Sequence, residues 1–92
     1  MYKLIWDEQF LRKLSKLTKN NSQLKELFQA RFDLLEIDPF DPTFKTHKLH
    51  GKLNLLLASS VDYDYRIVFL IKEIESKNYI VLVDIGTHDE VY

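Results

Sequence analysis

The chain has 92 residues, of which 46% are hydrophobic and 29% charged, and its formal net charge is −1. These values describe a single globular domain over residues 1–92, and with only two glycines and two prolines they exclude a disordered chain. The absence of cysteine excludes disulfides, thiolate zinc sites and cysteine nucleophiles, and indicates a reducing compartment. The apolar runs are far shorter than the roughly 20 residues of a membrane span, so we expect a cytoplasmic protein without membrane contact.

The first part of the chain predicts a strand and two helices. Residues 2–6 have the composition of a short strand, and Asp7 can cap the next helix because its carboxylate accepts free amide hydrogens of the first turn. Apolar residues recur at helical spacing over 10–17 and again over 24–35. The second helix should end before Pro39, since proline disfavours helix at the residue preceding it. We therefore expect a helical hairpin, followed by a loop up to Lys48.

The second half predicts a meander of three strands. The segments 53–61, 65–74 and 79–85 are rich in Val, Ile, Leu and Tyr and are separated by short polar stretches. Side chains alternate between two faces of a strand, so one face of the sheet should carry the helices. The predicted fold class is α+β, with an N-terminal strand and a helical hairpin packed on a mostly antiparallel sheet of four strands.

The candidate chemical groups lie in loops or at strand ends. They are His47, His50, His88, Asp64, Arg66 and Tyr92. A zinc signature and a phosphate-binding glycine loop are both missing from the sequence, so we expect no metal or nucleotide cofactor. Two imidazoles beside an arginine suit cleavage of a phosphodiester through the ribose 2′-hydroxyl: one takes the hydroxyl proton, the other protonates the departing oxygen, and the guanidinium stabilises the phosphate charge.

A purely structural interpretation of the same residues stays open. The histidines can be ordinary polar loop residues, and Arg66 can form an ion pair with Asp64. The order of the strands does not decide between the two. In a simple meander the entry of the second strand, near His47, and the exit of the fourth, near His88, lie at opposite ends of the sheet. A curl of the loop or the tail is needed to bring them together.

Basic residues concentrate in two stretches that contain no acid. Residues 12–25 hold five of them and residues 42–61 hold Lys45, Lys48 and Lys52. Such stretches indicate contact with an RNA backbone or with an acidic protein partner, the plain alternative being a solvated surface.

The order of elements, together with three segments, resembles a known family. The segments are His-Lys-Leu-His-Gly-Lys-Leu at 47–53, Asp-Tyr-Arg-Ile-Val-Phe at 64–69 and Gly-Thr-His-Asp-Glu-Val-Tyr at 86–92. Over its whole length the chain resembles the RelE/ParE superfamily of type II toxin-antitoxin toxins, and within it the YafQ-like mRNA interferases. The resemblance implies a RelE-like fold, metal-independent cleavage of mRNA at the ribosome, and neutralisation by a cognate antitoxin.

The resemblance also implies roles for individual residues. His47 matches the family's loop histidine and His88 the histidine implicated in proton transfer. Arg66 matches a phosphate contact, Asp64 the acid before the aromatic of the central strand, and Tyr92 a C-terminal aromatic that stacks on a base or orients the phosphate. Supporting RNA contacts are implied for Lys45, Lys48, His50 and Lys52. The alternative is the ParE-like branch, which shares the fold but inhibits DNA gyrase by protein contacts without catalysis.

Overall fold

The computed structural model describes residues 1–49, 55–62 and 64–87. In this part of the chain the helices are α1, Glu8–Thr18, and α2, Ser22–Ile37, and a 3₁₀ turn covers Pro42–Phe44. The strands are β1, Lys3–Ile5; β2, His47–Lys48; β3, Leu57–Ser60; β4, Tyr65–Ile74; and β5, Lys77–Thr87.

The predicted helical hairpin is confirmed, and side chains cap both of its helices. The Asp7 carboxylate accepts the Phe10 amide at 2.6 Å, as the sequence predicted. The Asn21 side chain accepts the Leu24 amide at 3.0 Å and so starts α2. Each cap satisfies an amide hydrogen that has no partner within its own helix, and this fixes where the helix begins.

The sheet is mixed and its strands follow the order β1-β5-β4-β3-β2. β1 runs parallel to β5, and the other neighbours are antiparallel. The prediction of four strands was therefore wrong in number: β2, at the end of the predicted loop, is the fifth. Both of its residues are exposed, so β2 shows no apolar alternation, and only its pairing with β3 reveals it.

Three of the predicted strands also have different limits. β1 is one residue shorter at each end than the predicted 2–6. β3 is shorter than the predicted 53–61, part of which lies outside the described residues. β5 begins two residues before and ends two residues after the predicted 79–85. β5 begins early because Glu75 and Ser76, with φ angles of 50° and 66°, form the tight turn that joins it to β4. Positive φ at both central residues is the geometry that matches the twist of a hairpin. The pairing then starts directly after the turn, at Ile74 and Lys77.

The helices cover one face of the sheet, as the alternation predicted. Aromatic side chains fill much of the space between the two layers: Phe10, Phe28, Phe32, Phe44 and Phe69 are all buried in one cluster. A smaller cluster of Leu49, Ala58 and Val68 lies apart from it. Since Val68 alternates with the core residues Ile67 and Phe69, this second cluster belongs to the face away from the helices. In the described ranges, neither helix is long and apolar enough to cross a membrane.

Candidate active site

The short strand β2 removes the topological difficulty that the sequence posed. It runs antiparallel to β3 and returns His47 to the level of Ala58, two residues before the end of β3. At that end Ser60 pairs with Arg66, and Arg66 pairs with Gly86 of β5. From the spacing of strands and of residues along them, the Cα atoms of His47 and Arg66 lie about 12 Å apart. One end of the sheet thus gathers His47, Arg66 and the last residues of β5.

The Arg66 guanidinium is anchored to the backbone of the turn between β3 and β4. Its Nη1 donates to the carbonyl oxygens of Asp62 and Tyr65, at 2.9 and 3.0 Å. Arg66 and Asp64 are both among the described residues, and they form no ion pair. The interpretation of Arg66 as the partner of Asp64 was therefore wrong. A guanidinium carries five N–H donors in a fixed plane. Two bonds at one nitrogen hold this plane, and Nε and Nη2 donate to no other described group.

Asp62 organises the turn that carries Arg66, a role that was not predicted from the sequence. Its Oδ1 accepts the backbone amides of Asp64 and Tyr65 at 2.8 and 3.0 Å. Aspartate followed by polar residues between two strands is a recognisable signal for such a turn. The predicted site residue Asp64 is exposed at this turn. Within the described ranges, its carboxylate forms no hydrogen bond or ion pair.

His47 is exposed on β2, and a hydrogen bond defines its tautomer. Its Nδ1 lies 3.1 Å from the carbonyl oxygen of Lys45. A carbonyl only accepts, so Nδ1 carries the hydrogen and, in the neutral ring, Nε2 carries the lone pair. The ring can therefore accept a proton at Nε2 while Nδ1 keeps its bond to the backbone.

A hollow of about 310 Å³ lies beside Arg66, between α2, the 3₁₀ turn and the end of β3. We call it the basic hollow; its lining residues are Leu27, Arg31, Thr43, Lys45, Ser60, Val61, Asp62 and Arg66. Three of these are cations and one is an acid. Lys45 and Arg66 were predicted from the sequence, whereas Arg31 was missed. Its spacing of four residues from Leu27 on α2 places the two on one helix face, which was the available signal.

The other predicted site residues are only partly accounted for. Lys48 follows His47 on β2 and is exposed; neighbouring residues of a strand point to opposite faces. His50, Lys52, His88 and Tyr92 lie outside the described residues.

The basic stretch on α1 is partly neutralised. Arg12 forms an ion pair with Glu8 at 2.5 Å, and Lys13 forms one with Asp84 of β5 at 2.7 Å. Lys16 and Lys19 are exposed. The cations of α1 are therefore a weaker indication of RNA contact than those of the basic hollow, which form no ion pair with a described carboxylate.

Comparisons with known proteins agree with this architecture. Residues 2–92 match the family model described as a bacterial toxin of type II toxin-antitoxin system, YafQ. A copper-bound mutant toxin from Helicobacter pylori superimposes with a TM-score of 0.75 at 27% identity, covering 100% of both chains. A YoeB/ParE toxin from Agrobacterium tumefaciens gives 0.78 at 15% identity, covering 94% of this chain and 98% of that one.

A third solved structure, the DinJ-YafQ toxin-antitoxin complex of E. coli, gives a TM-score of 0.70 at 16% identity, covering 99% of this chain and 97% of that one. Curated protein sequences give no significant match. The comparisons add no support to the gyrase alternative, and they confirm the resemblance drawn from the sequence. Because the family match spans residues 2–92, this chain belongs to the YafQ family of bacterial type II toxin-antitoxin toxins.

Proposed function

We propose that this toxin is an endoribonuclease that cleaves mRNA through the ribose 2′-hydroxyl, with imidazoles and a guanidinium supplying the chemistry rather than a metal. The observation that carries the proposal is the strand register, which sets Arg66 between Ser60 and Gly86 at the end of the sheet to which β2 returns His47. Membership of the YafQ family supports it.

The proposed reaction is an internal transfer of the phosphate. His47 takes the proton of the 2′-hydroxyl at Nε2, and the resulting oxygen attacks the adjacent phosphorus. The bond from phosphorus to the 5′-oxygen breaks, His88 protonates that oxygen, and a 2′,3′-cyclic phosphate remains. Arg66 stabilises the charge that develops on the phosphate, because the N–H groups at Nε and Nη2 are held in place by the two bonds at Nη1.

The remaining predicted residues have supporting roles in this proposal. Asp64 stabilises a protonated imidazole, and Tyr92 stacks on a base or orients the phosphate. Contacts to the RNA backbone come from four residues of the segment around β2: Lys45, Lys48, His50 and Lys52. The ribosome is the proposed place of cleavage.

A cognate antitoxin is the proposed protein partner. The structural relative from E. coli was solved as a toxin-antitoxin complex with DinJ. The hollow between α1 and α2, lined in part by Leu11, Leu14 and Phe32, offers apolar side chains against which an amphipathic helix can pack.

Purified toxin and translating ribosomes test the enzymatic proposal. Wild-type protein should cut mRNA in the presence of a chelator and leave 2′,3′-cyclic phosphate ends. His88→Ala and Arg66→Lys should each lower the cleavage rate by about 10²-fold or more. Arg12→Lys is the matched control, because this exposed arginine of α1 has no role in the proposed reaction, and it should cleave normally.

Circular dichroism checks that each variant is folded. A folded His88→Ala protein that cleaves mRNA and arrests growth like the wild type would contradict the proposed role of this histidine. If the protein inhibits the supercoiling of DNA by purified gyrase, and does so equally when either histidine is replaced, the gyrase alternative takes the place of the nuclease proposal.

A further inference from the structure

The basic hollow beside Arg66 brings together positive charges from three separate elements. Arg31 comes from α2, Lys45 follows the 3₁₀ turn, and Arg66 lies in β4. We infer that the basic hollow binds a phosphate of the RNA strand that neighbours the phosphate being cleaved. This inference rests on the proposed function and extends it, because it adds a second binding subsite and a residue, Arg31, that the family resemblance did not indicate.

The charges of the basic hollow favour an anion. Within the described ranges its three cations form no ion pair with a carboxylate. The one acid of the lining, Asp62, already accepts two backbone amides at Oδ1. Asp41 is close enough to Arg31 for that positive charge to contribute to lowering the pKa of the Asp41 carboxyl, after the larger effect of hydrogen bonds from Thr43. Three cations beside a single lining carboxylate leave an excess of positive charge, and the resulting positive potential favours an anion.

The remaining lining fits a phosphate with its sugar. The hydroxyl-bearing residues Thr43 and Ser60 line the same space as the two guanidinium groups, which present planar N–H pairs to phosphate oxygens. The half-buried Leu27 supplies apolar surface against which a ribose can pack. Arg31 has its guanidinium carbon 5.9 Å from the centre of the buried Phe44 ring, so an aromatic contact limits its freedom before any ligand arrives.

The backbone at Lys45 allows its side chain to be removed without harm to the fold. Its φ of 51° lies in the left-handed region, which glycine enters without steric cost and a lysine does not. Glycine at this position should therefore be at least as stable as lysine. The same residue accepts the Nδ1 hydrogen of His47 on its carbonyl oxygen, which links the basic hollow to the proposed base.

Binding of a single-stranded RNA with 2′-O-methyl riboses, which the proposed reaction cannot cleave, tests the inference. Fluorescence anisotropy over a range of salt concentrations gives the affinity and its salt dependence. Arg31→Gln should weaken binding about tenfold and reduce the slope of log K against log salt by about 0.7, the loss of one phosphate contact. Arg12→Gln, which removes the same charge from α1, should change neither quantity.

Lys45→Gly separates a ligand role from a structural one. It should weaken RNA binding while its midpoint of urea unfolding stays equal to that of the wild type or rises, because glycine suits the left-handed backbone. A single uncharged methylphosphonate linkage moved along the RNA then locates the contact. The wild type should bind more weakly to RNA with the methylphosphonate at one linkage next to the cleaved one. Arg31→Gln should bind that RNA and the unmodified RNA equally well.

The outcomes that overturn the inference differ from those that overturn the proposed function. If wild-type protein binds and cleaves RNA but Arg31→Gln equals Arg12→Gln, the basic hollow is not a phosphate subsite, whereas the nuclease proposal stands. The subsite is equally refuted if Arg31→Gln weakens only the binding of an antitoxin. If RNA binds in an Arg31-dependent way without being cut, the subsite stands and the proposed reaction is wrong. Absence of RNA binding by the wild type refutes both.

Discussion

A shared hydroxyl holds the segment before β2 against β3, and it can be tested by mutation. Thr46 Oγ1 lies 2.7 Å from the Pro39 carbonyl oxygen and 2.6 Å from the hydroxyl of Ser59, which is fully buried. The carbonyl can only accept, so Thr46 donates to Pro39 and Ser59 donates to Thr46. These two bonds fix the residue that precedes His47.

The structure gives the expected free energies of unfolding. Ser59→Ala removes one hydrogen bond and leaves the Thr46 hydroxyl its own acceptor, which costs about 1 kcal/mol. Thr46→Val leaves both the Pro39 carbonyl and the buried Ser59 hydroxyl without a partner, at about 1–3 kcal/mol for each group. The double variant has no serine hydroxyl that could be left without a partner. The double variant should therefore lose about 2 kcal/mol less unfolding free energy than the sum of the two single losses.

Urea unfolding monitored by fluorescence measures these losses. Trp6 is the single tryptophan, and the centres of its ring and of the Phe32 ring lie 4.7 Å apart. Its emission therefore changes when the core around Phe32 unfolds. With a slope of about 1–2 kcal/mol per molar urea, Ser59→Ala should lower the midpoint by about 0.5–1 M. Ser15→Ala, at an exposed position of α1, is the control and should shift it little. Strict additivity of the single and double variants would refute a shared hydroxyl.

Three further predictions concern turns and caps. Replacing Glu75 by Asn and Ser76 by Gly should raise the free energy of unfolding by about 1 kcal/mol, because both residues have positive φ; an unchanged urea midpoint would contradict the turn geometry. Asp7→Ala should lower the free energy of unfolding by about 1 kcal/mol through loss of the cap on α1, measured in the same way. Hydrogen bonds from the side chain and then the backbone of Thr43 lower the pKa of the Asp41 carboxyl below its ordinary 3.8. A lowered folded-state pKa stabilises the protein above the unfolded-state pKa, and this is lost as the pH falls through the folded value. The urea midpoint of Asp41→Asn should thus fall less than that of the wild type as the pH drops below 3.8; parallel acid curves would contradict the assignment.

Local patterns in the sequence were sufficient for the helices and for the long strands. Helical spacing, the cap at Asp7 and the stop at Pro39 defined the hairpin, because each depends on residues only a few positions apart. β4 was predicted with the limits that the structure shows, since its segment is rich in β-branched and aromatic residues and lies between two polar stretches. The resemblance of three short segments to a known family was confirmed by the family match.

The shape of the candidate site was decided by tertiary structure alone. β2 consists of two exposed residues, and only pairing with β3 makes it a strand and turns His47 back toward Arg66. Arg31 lines the same hollow as Arg66, 35 positions away in sequence, because α2 packs against β4 through Phe28 and Tyr65. Pairing and packing depend on distant partners, which leave no periodic trace in either segment. The amino-acid order therefore determined the elements and the chemical groups, whereas the contacts between elements determined which of those groups meet.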